Sequence, residues 1–288
     1  MIGDFLFSLS QSLEPHSETA SLDAQVLIAH ILKKPRSWVL AHPEAMLSSE
    51  QAHALDLALG RLQNGEPLPY VLGEWEFFGL SFIVTPAVLI PRPETELLVE
   101  QALHWLEARP HLFFTAAKDL VIADVGTGSG CIAISLAFHL PGIHIVAIDV
   151  SGEALQVTCA NATRHQLVQR LHFLQADLLS SFPKQPFFHL ICANLPYIPQ
   201  EILPGLPVFS REPSLALDGG PGGLKMIERL LCEARPRLSP GGLLLLEIES
   251  SQGQMISALA QQTYPPASVQ ILRDLAGRDR LVRIQLPE

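Results

Sequence analysis

The stretch LVIADVGTGSG at residues 120–130 decides the fold of this chain. Its first six residues are mostly apolar and of strand length, and the glycines that follow alternate with Thr127 and Ser129. Residues 132–137 are again almost entirely apolar, which predicts a buried helix directly after the glycines. Because glycines between a strand and a helix let a ligand approach the backbone closely, this stretch is a candidate binding loop.

Strands and helices continue to alternate after this loop. Apolar runs predict further strands at 144–149, 171–176, 187–193, 243–247, 269–272 and 280–284. Helical patterns lie between several of them, notably at 154–162 and 224–238. This order predicts an α/β fold with a mostly parallel, doubly wound sheet.

The part of the chain before the sheet has a different pattern. Residues 1–64 show helical spacing, with a helix expected after Ser48 and Leu55, Leu57 and Leu62 on its inner face. We expect a small helical domain at 1–66, a hairpin and proline-rich linker at 67–93, and the sheet domain at 94–288. The helical domain either packs against the rest or holds a macromolecular substrate.

Composition limits the classes of function. The 288 residues are 48% hydrophobic and carry a formal charge of −10, which disfavours the extended basic surface of a nucleic-acid binder. Residues 1–4 lack the basic start of a signal peptide, and no apolar run approaches the ~20 residues that span a bilayer. The four cysteines and eleven histidines show no metal-ligand spacing. We expect a cytoplasmic protein without a metal site, membrane contact or direct nucleic-acid contact.

The glycine loop and the acidic strand ends together favour a cofactor site. A dinucleotide-binding loop requires a third glycine at position 131, which is Cys131 here. The spacing G-x-G-x-G, preceded by Asp124, instead resembles motif I of class I S-adenosylmethionine-dependent methyltransferases. Asp149 ends the second strand, where a carboxylate can accept from both ribose hydroxyls, and Asp177 ends the third, near the expected adenine. The alternative is that these aspartates only cap helices.

The sequence NLPY at 194–197 follows the fourth strand, at the end of the sheet where ligands bind. The Asn194 side chain offers an acceptor oxygen, and the Leu195 carbonyl is restrained because Pro196 follows it. Two acceptors can hold two N–H bonds of an amide or amine and leave the nitrogen lone pair free to attack. An ordinary strand-end turn is the alternative.

These motifs together resemble the HemK-type (PrmC) protein-(glutamine) methyltransferases. The similar segments are DAQVL at 23–27, GEPLPYVLG at 65–73, TPAVLIPRPETE at 85–96, the glycine loop, NLPY, Glu212-Pro213, 217–219, 240–242 and GRDR at 277–280. The resemblance implies a Rossmann-like class I methyltransferase domain. It also implies methyl transfer from S-adenosylmethionine, leaving S-adenosylhomocysteine, to the glutamine amide of the Gly-Gly-Gln motif in peptide chain release factors. Glutamine methylation of a large-subunit ribosomal protein, amino methylation of a nucleic-acid base and a non-catalytic adaptor are the alternatives.

The resemblance also assigns roles to residues. The expected cofactor-binding residues are Asp124, Gly126, Thr127, Gly128, Ser129, Gly130, Asp149, Asp177, Leu178 and Asn194. The expected catalytic residues are Asn194, Leu195, Pro196 and Tyr197. The sequence departs from the family at Leu195, where the family has proline, and at Glu249, where we expect glycine in a pocket-side segment. We expect release factors as partners and a monomeric enzyme.

Overall fold

The computed structural model describes residues 1–109 and 120–288, which form two compact units, residues 1–74 and 75–288. The first unit consists of helices α1 (Ile2–Leu13), α2 (Ala20–Leu32), α3 (Arg36–Ala41), α4 (Ser49–Gln63) and α5 (Leu68–Leu72). Their buried faces share one core, which includes Ile2, Leu9, Leu13, Ala24, Leu27, Ile28, Val39, Leu55 and Leu62.

Helix α4 begins where the sequence predicts it. The Ser48 side chain accepts from the Gln51 N–H, and the Gln51 side chain bonds back to Ser48. The expectation for Leu57 is wrong, because its side chain is 60% exposed. Leu55 and Leu62, seven residues apart, lie on the buried face, and Leu57 lies two residues from Leu55, far around the helix.

A short hairpin precedes the main sheet. Strands β1 (Glu74–Phe77) and β2 (Leu80–Ile83) pair with each other, and both turn residues, Phe78 and Gly79, have positive φ. A two-residue turn of this kind matches the right-handed twist of the strands that it joins. Asn161, from a helix of the sheet domain, then binds both the N–H and the C=O of Ile83, at 2.6 and 2.9 Å.

The second unit is built around a seven-stranded sheet. Its remaining elements are α6 (Glu96–Glu107), β3 (Val121–Val125), α7 (Cys131–His139), β4 (His144–Asp149), α8 (Gly152–Arg164), β5 (Leu171–Gln175), β6 (Phe188–Ala193), α9 (Lys225–Ala234), β7 (Leu238–Glu247), α10 (Gly253–Thr263), β8 (Ser268–Arg273) and β9 (Asp279–Gln285).

The strand order is β5-β4-β3-β6-β7-β9-β8. The first five strands are parallel, and β9 runs antiparallel to both β7 and β8. Successive side chains of β3 alternate between two hydrophobic cores, so Ile122 packs in one and Ala123 in the other. The predicted fold class is confirmed.

One boundary differs from the sequence expectation. Helix α9 ends at Ala234, and β7 already begins at Leu238, ahead of the Pro-Gly-Gly at 240–242. Phe188 pairs with Leu238 but Leu190 pairs with Leu243, so β7 carries three extra residues that bulge from the ladder. The glycines therefore interrupt this strand rather than precede it. Within residues 1–109 and 120–288, no helix has the length and apolar character needed to cross a bilayer.

Candidate active site

A cavity of about 410 Å³ opens at the carboxyl ends of β3, β4, β5 and β6. These strands are parallel, so the loops that follow them meet at one edge of the sheet. The predicted site residues that line the cavity are Gly126, Thr127, Gly128, Ser129, Asp149, Asp177, Leu178, Asn194, Leu195 and Pro196. The volume falls in the range of small-molecule sites, roughly 300–1,000 Å³.

Asp149 lies at the end of β4 and is fixed by two backbone donors. Its Oδ2 accepts from the Gly128 N–H and its Oδ1 from the Ser151 N–H, both at 2.9 Å. Burial raises the pKa of Asp149, and these hydrogen bonds oppose that rise. Each carboxylate oxygen keeps further acceptor capacity, so the carboxylate can bind two neighbouring hydroxyls. The aspartate thus both shapes the glycine loop and lines the cavity.

Asp124 does not line the cavity but lies fully buried beneath the glycine loop. Its Oδ2 accepts from the Thr127 hydroxyl at 2.7 Å and from the Ala133 N–H, in the first turn of α7, at 3.1 Å. Its Oδ1 has no partner among the described residues. Burial raises the pKa of Asp124 to about 7, against the hydrogen bonds from Thr127 and Ala133. Asp124 therefore supports the loop from below.

Two further predicted residues lie outside the cavity lining. Gly130 is the N-cap of α7 and packs against Thr158 of α8, so it serves the helix contact. Tyr197 extends its hydroxyl away to Glu247 Oε1, at 3.5 Å. Asp177 does line the cavity, but its half-exposed carboxylate pairs with Arg229 at 2.9 Å.

Asn194 is oriented by a residue that the sequence reasoning treated only as a helix start. Its Nδ2 donates to the Thr95 hydroxyl oxygen at 3.1 Å. Thr95 precedes α6 and makes no capping bond with its side chain, which is 1% exposed. Within the described residues, Asn194 Oδ1 has no hydrogen-bond partner. The acceptor atom of the amide therefore stays free for a ligand.

Glu247 is a second residue that the sequence reasoning missed. It is the last residue of β7 and is 1% exposed. Because Ala193 pairs with Leu246 in the sheet, the next residue of each strand, Asn194 and Glu247, lies nearby. Burial raises the pKa of Glu247 to about 7, and the nearby Thr95 side chain and the charge of Arg280 oppose that rise. One feature of the sequence could have drawn attention to Glu247: it is a charged residue directly after the all-leucine run 243–246.

The backbone after Pro196 is held by the loop at 219–223. The Gln252 side chain donates to the Tyr197 carbonyl at 3.0 Å. Gly223 has φ +74°, and a Cβ there would collide with that same carbonyl. Glycine is thus required at 223 by both its conformation and its close neighbour. Nothing in the sequence pattern linked this loop to residues 194–197.

The segment before α6 and the loop at 213–216 form the other walls. They contribute Pro86, Ala87, Val88, Leu89, Pro91, Arg92, Pro213, Ser214, Leu215 and Ala216. Glu212, which is 9% exposed, joins the two walls because it binds the Arg92 guanidinium and the Ile90 N–H. Glu249 lies outside the cavity lining and caps its own loop through Ser250 and Ser251.

The cavity combines polar and apolar groups. Among the described residues, 1–109 and 120–288, no group of three or more His, Cys, Asp or Glu side chains is arranged to hold a metal ion. The cavity combines an acidic side chain, backbone groups of a glycine loop, apolar walls and one free amide oxygen. This set suits a nucleoside-containing cofactor beside a small polar group.

Two family models match the chain. Residues 5–73 match the PrmC N-terminal domain, and residues 122–206 match a methyltransferase domain. The second match covers β3 to β6 and includes both the glycine loop and residues 194–197.

Curated proteins match over most of their length. The release factor glutamine methyltransferase of Moorella thermoacetica is 44% identical over 91% of this chain and 90% of its own. The release factor glutamine methyltransferase of Coxiella burnetii is 38% identical over 96% of this chain and 95% of its own. Among solved structures, a methyltransferase from Pyrococcus furiosus shares the fold, with a TM-score of 0.50 and 16% identity over 73% of this chain and 91% of that one.

Proposed function

The chain belongs to the family of release factor glutamine methyltransferases, and we propose that it methylates the side-chain amide nitrogen of a release-factor glutamine. The methyl donor is S-adenosylmethionine, and the glutamine is that of the Gly-Gly-Gln motif. One observation carries the proposal at the level of the site. Asn194, with Oδ1 unpartnered among the described residues, lines the same cavity as Asp149 and the glycine loop.

The residues around the cavity fit S-adenosylmethionine. Asp149 offers two oriented carboxylate oxygens to the ribose hydroxyls, and Gly126 and Gly128 allow the methionine part to lie close to the backbone. Leu178 supplies an apolar contact for the adenine, and Asp177 lies beside it at the same wall. Bound there, S-adenosylmethionine supplies a methyl group on a positively charged sulfur and is left as S-adenosylhomocysteine.

The residues 194–197 position the glutamine. Asn194 Oδ1 and the Leu195 carbonyl accept the two N–H bonds of the substrate amide, which fixes the direction of its nitrogen. An amide nitrogen is a weak nucleophile, so alignment at near-attack distance is the main contribution of the protein, within the ~7–11 kcal/mol available to well-oriented reactions. The nitrogen gains the methyl group and releases one proton to solvent, which requires no general base in the site. Pro196 restrains the Leu195 carbonyl, and Tyr197, which lies outside the cavity lining, holds the end of this loop through its bond to Glu247.

The helical unit supplies recognition of the protein substrate. We assign residues 1–66 to release-factor binding, 67–93 to a linker and 94–288 to catalysis. The match of residues 5–73 to the PrmC N-terminal domain supports a dedicated role for this unit in the family. The enzyme acts as a monomer on release factors and has no membrane or nucleic-acid partner.

Mass spectrometry of a release factor incubated with the enzyme and S-adenosylmethionine tests the proposal. The expected result is one added methyl group on the Gly-Gly-Gln peptide, and a Gln→Ala substitution in that tripeptide should abolish it. Methylation elsewhere on the release factor would contradict the assigned glutamine. An unmodified release factor together with a methylated large-subunit ribosomal protein would contradict the assigned substrate.

A further inference from the structure

One positively charged side chain lines the candidate active site. Arg92 precedes the short turn Pro93–Thr95 that leads into α6, and among the described residues it is the single lysine or arginine of the cavity lining. Four acidic residues share the lining with it: Asp149, Glu153, Asp177 and Asp218. A guanidinium has five N–H donors and no acceptor, so Arg92 suits an oxygen atom of a ligand.

Glu212 fixes the position of this guanidinium. Its Oε1 accepts from Arg92 Nη2, and its Oε2 accepts from the Ile90 N–H at 3.0 Å. The Glu212 side chain is 5% exposed, whereas the Arg92 side chain is 35% exposed. The other side-chain N–H groups of Arg92 donate to none of the described residues. Arg92 is therefore held through one nitrogen and keeps further donors for a ligand in the cavity.

Arg92 also lies close to the residue that contacts Asn194. The Thr95 N–H donates to the Arg92 carbonyl at 3.0 Å, and the Thr95 side-chain oxygen accepts from Asn194 Nδ2 at 3.1 Å. The backbone of Arg92 is thus one short turn away from the Asn194 contact, and both Arg92 and Asn194 line the same cavity. A small polar group bound at Asn194 therefore lies within reach of the long arginine side chain.

The charge of the Arg92–Glu212 pair decides which kind of oxygen Arg92 binds. Glu212 compensates the charge of the guanidinium, so the pair as a whole is neutral. A second carboxylate at Arg92, such as that of the methionine part of S-adenosylmethionine, would add a negative charge to a cavity that already has four acidic residues. A carbonyl oxygen adds no charge, and a buried carbonyl needs a donor. The pair therefore favours a neutral carbonyl.

We propose that Arg92, held by Glu212, donates a hydrogen bond to the side-chain carbonyl oxygen of the substrate glutamine. This inference rests on the proposed function, in which Asn194 Oδ1 and the Leu195 carbonyl accept the two N–H bonds of the same amide. With Arg92 added, each polar atom of the carboxamide has a partner in the site. A side chain without a carbonyl oxygen, such as that of lysine or methionine, leaves the Arg92 donors unused.

The contribution of this bond is to recognition. As the nitrogen lone pair attacks the methyl group it leaves conjugation with the carbonyl, so the carbonyl oxygen becomes a weaker acceptor. Losing the bond should raise KM without lowering kcat. We expect Arg92→Met to raise KM for a release factor about tenfold or more, with kcat and affinity for S-adenosylmethionine each within about threefold of wild type. A tenfold loss of cofactor affinity would assign Arg92 to the cofactor and overturn the proposal.

A double substitution separates recognition from packing of the cavity walls. In Arg92→Met alone, the buried Glu212 carboxylate loses its partner, which destabilises both walls. In Arg92→Met/Glu212→Gln no charge is left unpaired, and the introduced amide oxygen still accepts from the Ile90 N–H. We expect the double variant to recover thermal stability and to keep the raised KM. Recovery of KM together with stability would show that Arg92 serves only the walls, and would overturn the proposal.

Binding without turnover tests the contact with the glutamine itself. With S-adenosylhomocysteine bound, the wild type should bind a release factor more tightly than its Gln→Met variant in the Gly-Gly-Gln motif, because methionine has a similar size and no amide. In Arg92→Met/Glu212→Gln this preference should shrink about fivefold or more. An unchanged preference would overturn the assignment of Arg92. If the wild type binds the release factor but does not methylate it, the proposed function fails while this comparison still decides the role of Arg92.

Discussion

The Leu195 side chain lies directly over Gly126: its Cδ2 is 3.0 Å from the position that a Cβ on Gly126 would occupy. Leu195 is 4% exposed and stands where the resembling family has proline. The side chain therefore packs the loop after β6 against the loop after β3. In our proposal these two loops hold the substrate and the cofactor, so this contact couples the two halves of the site.

Gly126→Ala should weaken binding of S-adenosylmethionine about tenfold or more, measured by calorimetry. Gly126 has φ +75°, and an added methyl group would push on Leu195 as well as strain the backbone. Gly142→Ala is the matched control, because Gly142 has φ +89° with open space where the Cβ would be. Both variants should lose stability, but only Gly126→Ala should lose affinity. Equal affinities would show that the Leu195 contact is unimportant for the cofactor.

Asp149→Asn should reduce affinity for S-adenosylmethionine by roughly 5- to 150-fold, which corresponds to about 1–3 kcal/mol for disturbing a buried charged hydrogen-bond acceptor. Both oxygens of Asp149 already face N–H donors, so one end of an asparagine amide must oppose a donor. Asp177→Asn provides the comparison within the same cavity. Its carboxylate is half exposed and paired with Arg229, so its loss should change affinity less than about threefold. A larger effect at Asp177 than at Asp149 would reverse our assignment of the ribose contact.

Asn194→Ala should lower kcat on a release factor about 100-fold or more, because the amide nitrogen of the substrate glutamine is then no longer aligned for methyl transfer. Affinity for S-adenosylmethionine should remain within about threefold of wild type. Gln200→Ala removes an exposed polar side chain further along the same loop and should leave both quantities unchanged. Parallel losses of turnover and cofactor affinity in Asn194→Ala would argue that Asn194 serves the cofactor instead.

The sequence predicts the sheet and the cavity-lining loops because both depend on local patterns. Apolar runs mark the strands, and the parallel order brings their carboxyl ends together, which places Gly126, Asp149 and Asn194 around one cavity. Thr95 and Glu247 are different. Thr95 reaches Asn194 through the packing of α6, and Glu247 lies near Asn194 because the sheet register pairs Ala193 with Leu246. Neither the register nor this packing follows from a local sequence pattern. The sequence alone therefore does not distinguish Thr95 from other threonines at helix starts, or Glu247 from other glutamates at strand ends.

The unusual environment of Glu247 should appear in the pH dependence of stability. Its ordinary pKa is 4.5 and burial raises it to about 7, so the folded protein favours the protonated form. The stability that this group contributes is complete below pH 4.5 and is lost as the pH rises through 7. Urea unfolding should therefore show Glu247→Gln gaining about 1–3 kcal/mol relative to wild type between pH 4.5 and 8.

Glu249→Gln is the control for this measurement, two residues away. Burial favours the neutral form there too, but hydrogen bonds from Ser251 and Ser250 lower the pKa of Glu249 below its ordinary 4.5. The stability that Glu249 contributes is therefore present above pH 4.5 and is lost only as the pH falls through its lowered pKa. The difference in the free energy of unfolding between Glu249→Gln and wild type should accordingly be constant from pH 5.5 to 8. A flat Glu247→Gln difference in the free energy of unfolding over the same range would mean that Glu247 is charged throughout.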